Sequence, residues 1–133
     1  MVKQIFVNLA VKNLIHTKAF FSKLGFSFNP QFTDDNAACM IIGENIFAML
    51  LTEPMFKTFT PKELCNAQKS TEVLVALALE SRDQVDEMVR QAVAAGGCTY
   101  KEAQDHGFMY AHGFEDLDGH IWEPFYMEPS AIN

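Results

Sequence analysis

One carboxylate stands out along this chain: Glu123, four residues after the turn Asp116-Leu117-Asp118-Gly119 and flanked at alternate positions by Ile121 and Phe125. A carboxyl stripped of water by apolar neighbours holds its proton more tightly than one in solution, which suits a general acid or base. A structural glutamate bonded to Asn8 or to backbone N–H groups would look the same in sequence, so both roles stay open. The four histidines fall in different settings: His16 in a helical stretch, His106 in a loop, His112 on a strand and His120 at a turn. No pair of them has metal-ligand spacing. The three cysteines, Cys39, Cys65 and Cys98, are scattered and odd in number, so they offer neither a disulfide framework nor a paired metal site. Cys39 reads as a small buried hydrophobe, because a reactive thiol needs a cationic neighbour and none is in view.

The elements that must position these residues repeat. Residues 5–11 alternate as a strand, Asn13 can cap a helix over 14–24, and Gly25 supplies its left-handed stop. Strands are expected at 26–32, 36–42 and 46–52, separated by Asp34-Asp35-Asn36 and Gly43-Glu44-Asn45. The second half follows the same order, with a strand at 73–79, a helix at 82–95 capped by Ser81 with Gln84, and Gly96-Gly97 as its end. Strands at 97–102, 108–115 and 120–126 complete it, the loop around Gln104-Asp105-His106-Gly107 lying between the first two. The fold class is therefore α+β, a single domain over 1–133 made of two βαβββ modules in tandem, 4–52 and 73–128. They would form a cup-shaped mixed sheet with the helices on its convex side. The connecting segment 53–72 carries Thr60-Pro61-Lys62-Glu63, the pattern of a capped short helix. Met55, Phe56 and Phe59 in that segment either link the modules or fold over the mouth of the cup.

Strand alternation assigns the faces. Phe6, Asn8 and Ala10 share one face of the first strand, with Phe47, Met49 and Leu51 on theirs; Leu74, Ala76, Ala78, Ile121, Glu123 and Phe125 follow in the second half. The Gly43-Glu44-Asn45 turn places Cys39 opposite Met49 and Ile41 opposite Phe47. At Asp116–Gly119 two registers compete. A three-residue loop with Gly119 left-handed puts Ala111 and Gly113 on the face, Gly113 opposite Glu123, whereas a four-residue loop brings His112 beside Glu123 as an acid–base pair. Trp122, Tyr110 and Phe114 then fall on the other side. An apolar concavity with few polar groups, here Asn8 and Glu123, is the pattern of a small-molecule site. The competing outcome is that Phe6, Phe47, Met49 and Phe125 simply pack the sheets together.

The chain has 133 residues, with a hydrophobic fraction of 49% and 20% charged residues, which suits a packed soluble body. Seventeen acidic against ten basic residues give a net charge of −7, so nucleic acid and anionic membrane surfaces are not expected partners. No apolar run approaches the ~18 residues of a membrane helix, and a cytoplasmic location is expected.

Asn13-Leu14 leading into Ala19-Phe20-Phe21-Ser22-Lys23-Leu24-Gly25-Phe26, followed by Glu115-Asp116-Leu117-Asp118-Gly119-His120-Ile121-Trp122-Glu123, resembles the vicinal oxygen chelate superfamily over about residues 4–128. That superfamily includes lactoylglutathione lyases (glyoxalases), bleomycin and fosfomycin resistance proteins and ring-cleaving dioxygenases, all built on paired βαβββ modules. In its metal-dependent members four ligands come from the first and last strand of each half, places that fall here on Phe6, Met49, Leu74 and Glu123. Phenylalanine and leucine have no donor, and methionine sulfur is a poor partner for a hard divalent ion. The resemblance therefore implies a protein that binds a small, partly apolar molecule without metal or other cofactor. Glu123 would be its catalytic residue if it is an enzyme, of lyase type. The lining would be Phe6, Asn8, Cys39, Phe47, Met49, Leu74, Ala76, Ala111, Gly113, Ile121 and Phe125. Two alternatives are a divalent-metal-dependent lactoylglutathione-lyase-like enzyme that uses Glu123 with His112, and a non-catalytic scaffold. In the scaffold, Met55, Phe56, Trp122 and Tyr126 would meet a second copy. The resemblance also implies a homodimer.

Overall fold

The structure is a computed structural model and describes residues 1–131. It is mixed α+β and divides into two compact units, Met1–Cys65 and Asn66–Asn133, the division falling inside the expected connecting segment.

In the first unit, strand β1 (Ile5–Val11) leads into helix α1 (Leu14–Lys23), followed by β2 (Ser27–Phe28), β3 (Ala37–Gly43), β4 (Ile46–Thr52) and the short helix α2 (Glu53–Lys57). The sheet order is β1-β4-β3-β2, with β1 and β4 parallel and the other pairs antiparallel. Asn13 caps α1, its Oδ1 accepting from His16 N at 3.0 Å. One side of the sheet meets α1: Leu9, Val11, Met40 and Leu50 are buried with Phe20 and Phe21 of the helix. Burying each such side chain contributes about 2 kcal/mol, so this layer is what fixes the strand faces.

Two expectations are corrected here. The strand over 26–32 shrinks to Ser27–Phe28, because Pro30 has no N–H for a ladder and starts a 3₁₀ turn, Pro30–Phe32, with Asn29 Oδ1 accepting from Gln31 N at 3.0 Å. The short helix of the connecting segment is not at Thr60. It is α2, with Pro54 in its first turn, while Thr60 Oγ1 accepts from Lys62 N at 3.1 Å in a local turn that competes with a helix start.

The second unit contains β5 (Leu74–Ala78), helix α3 (Arg82–Ala94), β6 (Gln104–Asp105), β7 (Met109–Ala111), β8 (Phe114–Glu115) and β9 (Ile121–Met127). Its order is β5-β9-β7-β6 with β8 also on β9, and β5 runs parallel to β9. Ser81 Oγ caps α3 by accepting from Gln84 N at 3.1 Å, and Gln84 Oε1 accepts from Glu80 N at 2.9 Å. Val85, Val89 and Ala92 of α3 are buried with Leu77, Phe114 and Trp122 of the sheet.

The strand expected at 97–102 is reduced to one bridge, Cys98 across from Glu115, and a short strand appears instead at Gln104–Asp105, inside the expected loop. The cause is a change of register. Cys98 faces Glu115 and Gln104 faces Ala111, so six steps along the edge segment span only four along its neighbour and the excess must leave the ladder. His112 Nε2 meets the Lys101 carbonyl, 3.1 Å away, within that excursion. The expected strand 108–115 is likewise divided into β7 and β8 at His112-Gly113. Arg82 ties the β6–β7 hairpin back to α3, donating from one guanidinium nitrogen to Asp105 Oδ2 at 2.8 Å and from the other to Gly107 O at 2.9 Å.

Trp122 lies on the α3 side of the sheet, as strand alternation predicts, and is 0% exposed inside its own unit, so it is not the partner-facing residue that the scaffold alternative requires. Met55, Phe56 and Tyr126 are half-buried.

Candidate functional site

The Asp116–Gly119 turn sets β9 in place. Asp116 N donates to His120 O and Gly119 N to Asp116 O, closing a three-residue loop in which Gly119 has φ +90°. Asp116 was read from sequence only as a turn residue. It is in fact 5% exposed, with Oδ1 accepting from Asp118 N at 2.9 Å and His120 N at 3.0 Å, and Oδ2 accepting from Trp122 Nε1 at 3.0 Å. Burial pushes this carboxyl above its usual range, against the opposing pull of His120 and the indole bond.

That loop selects between the two registers. Phe114 lies across from Trp122 and Ala111 across from Phe125, so Gly113 falls across from Glu123 and His112 does not. On the other flank Ala76 lies across from Glu123 in the parallel pair. Trp122 and Pro124 are buried on the α3 side of β9, so Glu123 points to the opposite face. The carboxylate is therefore centred in a small grid. Ile121 and Phe125 lie along its strand, Ala76 and Gly113 on either side, and Leu74, Ala78 and Ala111 at the diagonals. Ala76 leaves room above it on one flank. Leu74, Ala76 and Ala78 are exposed, whereas Glu123, Ile121, Phe125 and Ala111 are half-buried. Among the described residues the Glu123 carboxylate accepts no hydrogen bond and makes no ion pair.

Tyr100 is the neighbour that sequence reasoning missed. Extending the register of the Cys98–Glu115 bridge by two residues places Tyr100 beside Gly113. A Cβ built on Gly113 would overlap the Tyr100 hydroxyl and lie 2.8 Å from its ring Cζ, so the phenol occupies the slot where residue 113 would have a side chain. Burial, and after it the negative charges of Glu123 and Glu115, holds the Tyr100 phenol above its usual range. The phenol thus keeps its proton and is a hydrogen-bond donor at neutral pH. Nothing in the sequence except the expected edge strand at 97–102 pointed to this residue.

In the first unit, Asn8 and Cys39 both lie across from Met49, and Phe6 and Ile41 both lie across from Phe47. Phe6 and Phe47 stack with centroids 4.7 Å apart and planes 13° from parallel. Asn8 and Phe6 are exposed, while Met49 and Phe47 are half-buried. Cys39 is 1% exposed, and burial pushes its thiol up. It lies under the 29–33 turn, whose Asn29 N donates to Cys39 O and whose Thr33 Oγ1 accepts from Cys39 N.

Metal chemistry has little to work with. Of the four family ligand positions, Phe6, Met49, Leu74 and Glu123, only the last offers a hard oxygen donor, and among the described residues no three His, Cys, Asp or Glu side chains come together as a metal cage. These side chains do not fit a divalent ion.

No family model and no curated protein sequence matches the chain. Solved structures do. A hypothetical protein, SA1046 from S. aureus, is 27% identical with a TM-score of 0.80, covering 95% of each chain. A glyoxalase-related enzyme from Fulvimarina pelagi is 16% identical with a TM-score of 0.80, covering 94% of this chain and 88% of its own. A glyoxalase/bleomycin resistance protein/dioxygenase family enzyme from Burkholderia phytofirmans PsJN is 14% identical with a TM-score of 0.75, covering 92% and 96%. The fold is that shared by these proteins, the vicinal oxygen chelate fold.

Proposed function

We propose that this chain, with its vicinal oxygen chelate fold, binds a small, partly apolar molecule against the Glu123 face, using the carboxylate as its polar anchor and no metal ion. The observation that carries the proposal is the half-buried Glu123 carboxylate, which accepts no hydrogen bond from the described residues and is flanked by Ala76 and Gly113. A carboxylate that has lost part of its hydration and gained no donor in return costs free energy, and a guest that supplies the donor recovers it. Ile121, Phe125, Leu74 and Ala111 supply apolar surface around it. Within the first unit, Asn8 and Phe6 with Phe47 and Met49 make up a face of similar character, apolar with one polar group. Similar structures described as glyoxalase/bleomycin resistance proteins are in keeping with it.

The test is a melting-temperature screen of metal-free protein against small metabolites and antibiotics. A true ligand at a hundredfold excess over its Kd stabilises by about 2.7 kcal/mol, a shift of several degrees for a chain of this size. Glu123→Gln should lose most of that shift while melting at the native temperature in the absence of ligand. A screen without any stabilising compound overturns the proposal.

A further inference from the structure

We propose that the Tyr100 hydroxyl and the Glu123 carboxylate together form a head-group site selective for organic cations, specifically a protonated amine carried on an apolar body. This deepens the binding reading above and rests on it.

Geometry places the pair. Glu123 and Gly113 are directly across from each other, and the Tyr100 hydroxyl fills the position a residue-113 side chain would take, so phenol and carboxylate are adjacent on one face. Only glycine at 113 permits this, since any Cβ would meet the hydroxyl and the ring. Tyr100 makes no hydrogen bond with any other described residue, and its hydroxyl is left available as both donor and acceptor.

Charge then chooses the guest. Glu115 is across from Ile121 and so shares the face with Glu123, its Oε2 accepting from the Cys98 thiol at 3.3 Å. The negative charges of both glutamates act on Tyr100. None of the residues paired across this face is basic, and the whole chain has a net charge of −7. An anionic head group would meet two carboxylates with no counter-charge. An ammonium group would donate to Glu123 and to the phenolic oxygen while its hydrocarbon lies on Ile121, Phe125 and the alanines.

Three probes of one shape separate the alternatives: 4-phenylbutylamine, 4-phenylbutanol and 4-phenylbutyrate, titrated into the full chain by calorimetry. The amine is expected to bind at least roughly tenfold tighter than the carboxylate, a ratio that falls as salt is raised. Tyr100→Phe keeps the ring and should weaken the amine by roughly tenfold while leaving the melting temperature unchanged. Gly113→Ala displaces the phenol and should bring the amine to the same reduced affinity. Equal affinity for amine and carboxylate, or an unchanged amine affinity in Tyr100→Phe, overturns the inference. If the alcohol binds as well as the amine, the head-group site is wrong but binding at the apolar face stands. If none of the three binds while a screened compound still stabilises in a Glu123-dependent way, the inference alone fails. If neither occurs, both fail.

Discussion

Asp116→Ala is expected to destabilise the second unit by about 3 kcal/mol, enough to lower the melting temperature by roughly 10 °C. Its carboxylate receives two backbone N–H groups and the Trp122 indole N–H, all at 2.9 to 3.0 Å. Removing it takes away the carboxylate that accepts from the indole N–H of a side chain that is 0% exposed. Asparagine is the informative intermediate. It can accept from the backbone pair or from the indole, but its amide nitrogen must then face a donor, so Asp116→Asn should recover only part of the loss. Trp122 is the one tryptophan of the chain, which makes its fluorescence a direct reporter of unfolding. A loss below about 0.5 kcal/mol would show that the turn does not depend on this carboxylate.

The same residue sets a pH dependence of definite sign. Burial raises the Asp116 carboxyl in the folded protein above its ordinary value, so the native state holds this proton more tightly than the unfolded chain does. Below the ordinary carboxylate range both states are protonated and the contribution is fully present. As pH rises the unfolded chain deprotonates first, and stability is lost progressively until pH passes the raised folded value. Relative to the wild type, Asp116→Asn should therefore look least favourable in acid and gain ground through the mildly acidic range. The opposite slope would contradict a carboxyl raised by burial.

Gly119→Ala is expected to cost about 3 kcal/mol, from two separable sources. The glycine has φ +90°, a conformation that costs an L-residue about 1 kcal/mol. Its added Cβ would also lie 2.8 Å from Ala67 O and 3.0 Å from Gln68 N, backbone atoms of a segment tied to the turn by Gln68 Nε2 donating to Leu117 O at 3.2 Å. Gly25→Ala supplies the comparison, because Gly25 has φ +97° with nothing within 4 Å of an added Cβ. Gly25→Ala should cost only the conformational part, about 1 kcal/mol. Equal losses measured by urea unfolding for the two variants would mean that the 67–68 backbone yields freely.

How far the sequence reached follows from which forces act locally. The β1 and β4 strands, both long helices, the Asn13 and Ser81 caps and the three-residue loop at Gly119 were readable because side-chain alternation, capping oxygen atoms and left-handed glycine act within a few residues. The Gly113–Glu123 pairing followed from the turn chemistry alone. What escaped depends on partners distant in the chain. Segment 97–102 has strand composition but loses its ladder to a register change set at Gln104 and Ala111. Thr60-Pro61-Lys62-Glu63 has a helix-start pattern, yet the Thr60 hydroxyl is used by a local turn and the helix begins earlier, straight off β4. Asp116 has the composition of an exposed turn residue, and only the tertiary position of Trp122 shows that its carboxylate is buried. Tyr100 reaches the Glu123 face through an irregular segment that no periodicity encodes.

A guest molecule is expected on the face of β5, β7, β8 and β9 around Glu123. Amide chemical-shift mapping of the isotope-labelled chain, with a compound selected by the melting screen, tests it most directly. Saturable shifts are expected at Ala76, Ala111, Gly113 and Glu123, and are expected to be absent in Glu123→Gln. Saturable shifts centred elsewhere, with these four amides unmoved, would contradict binding at this face.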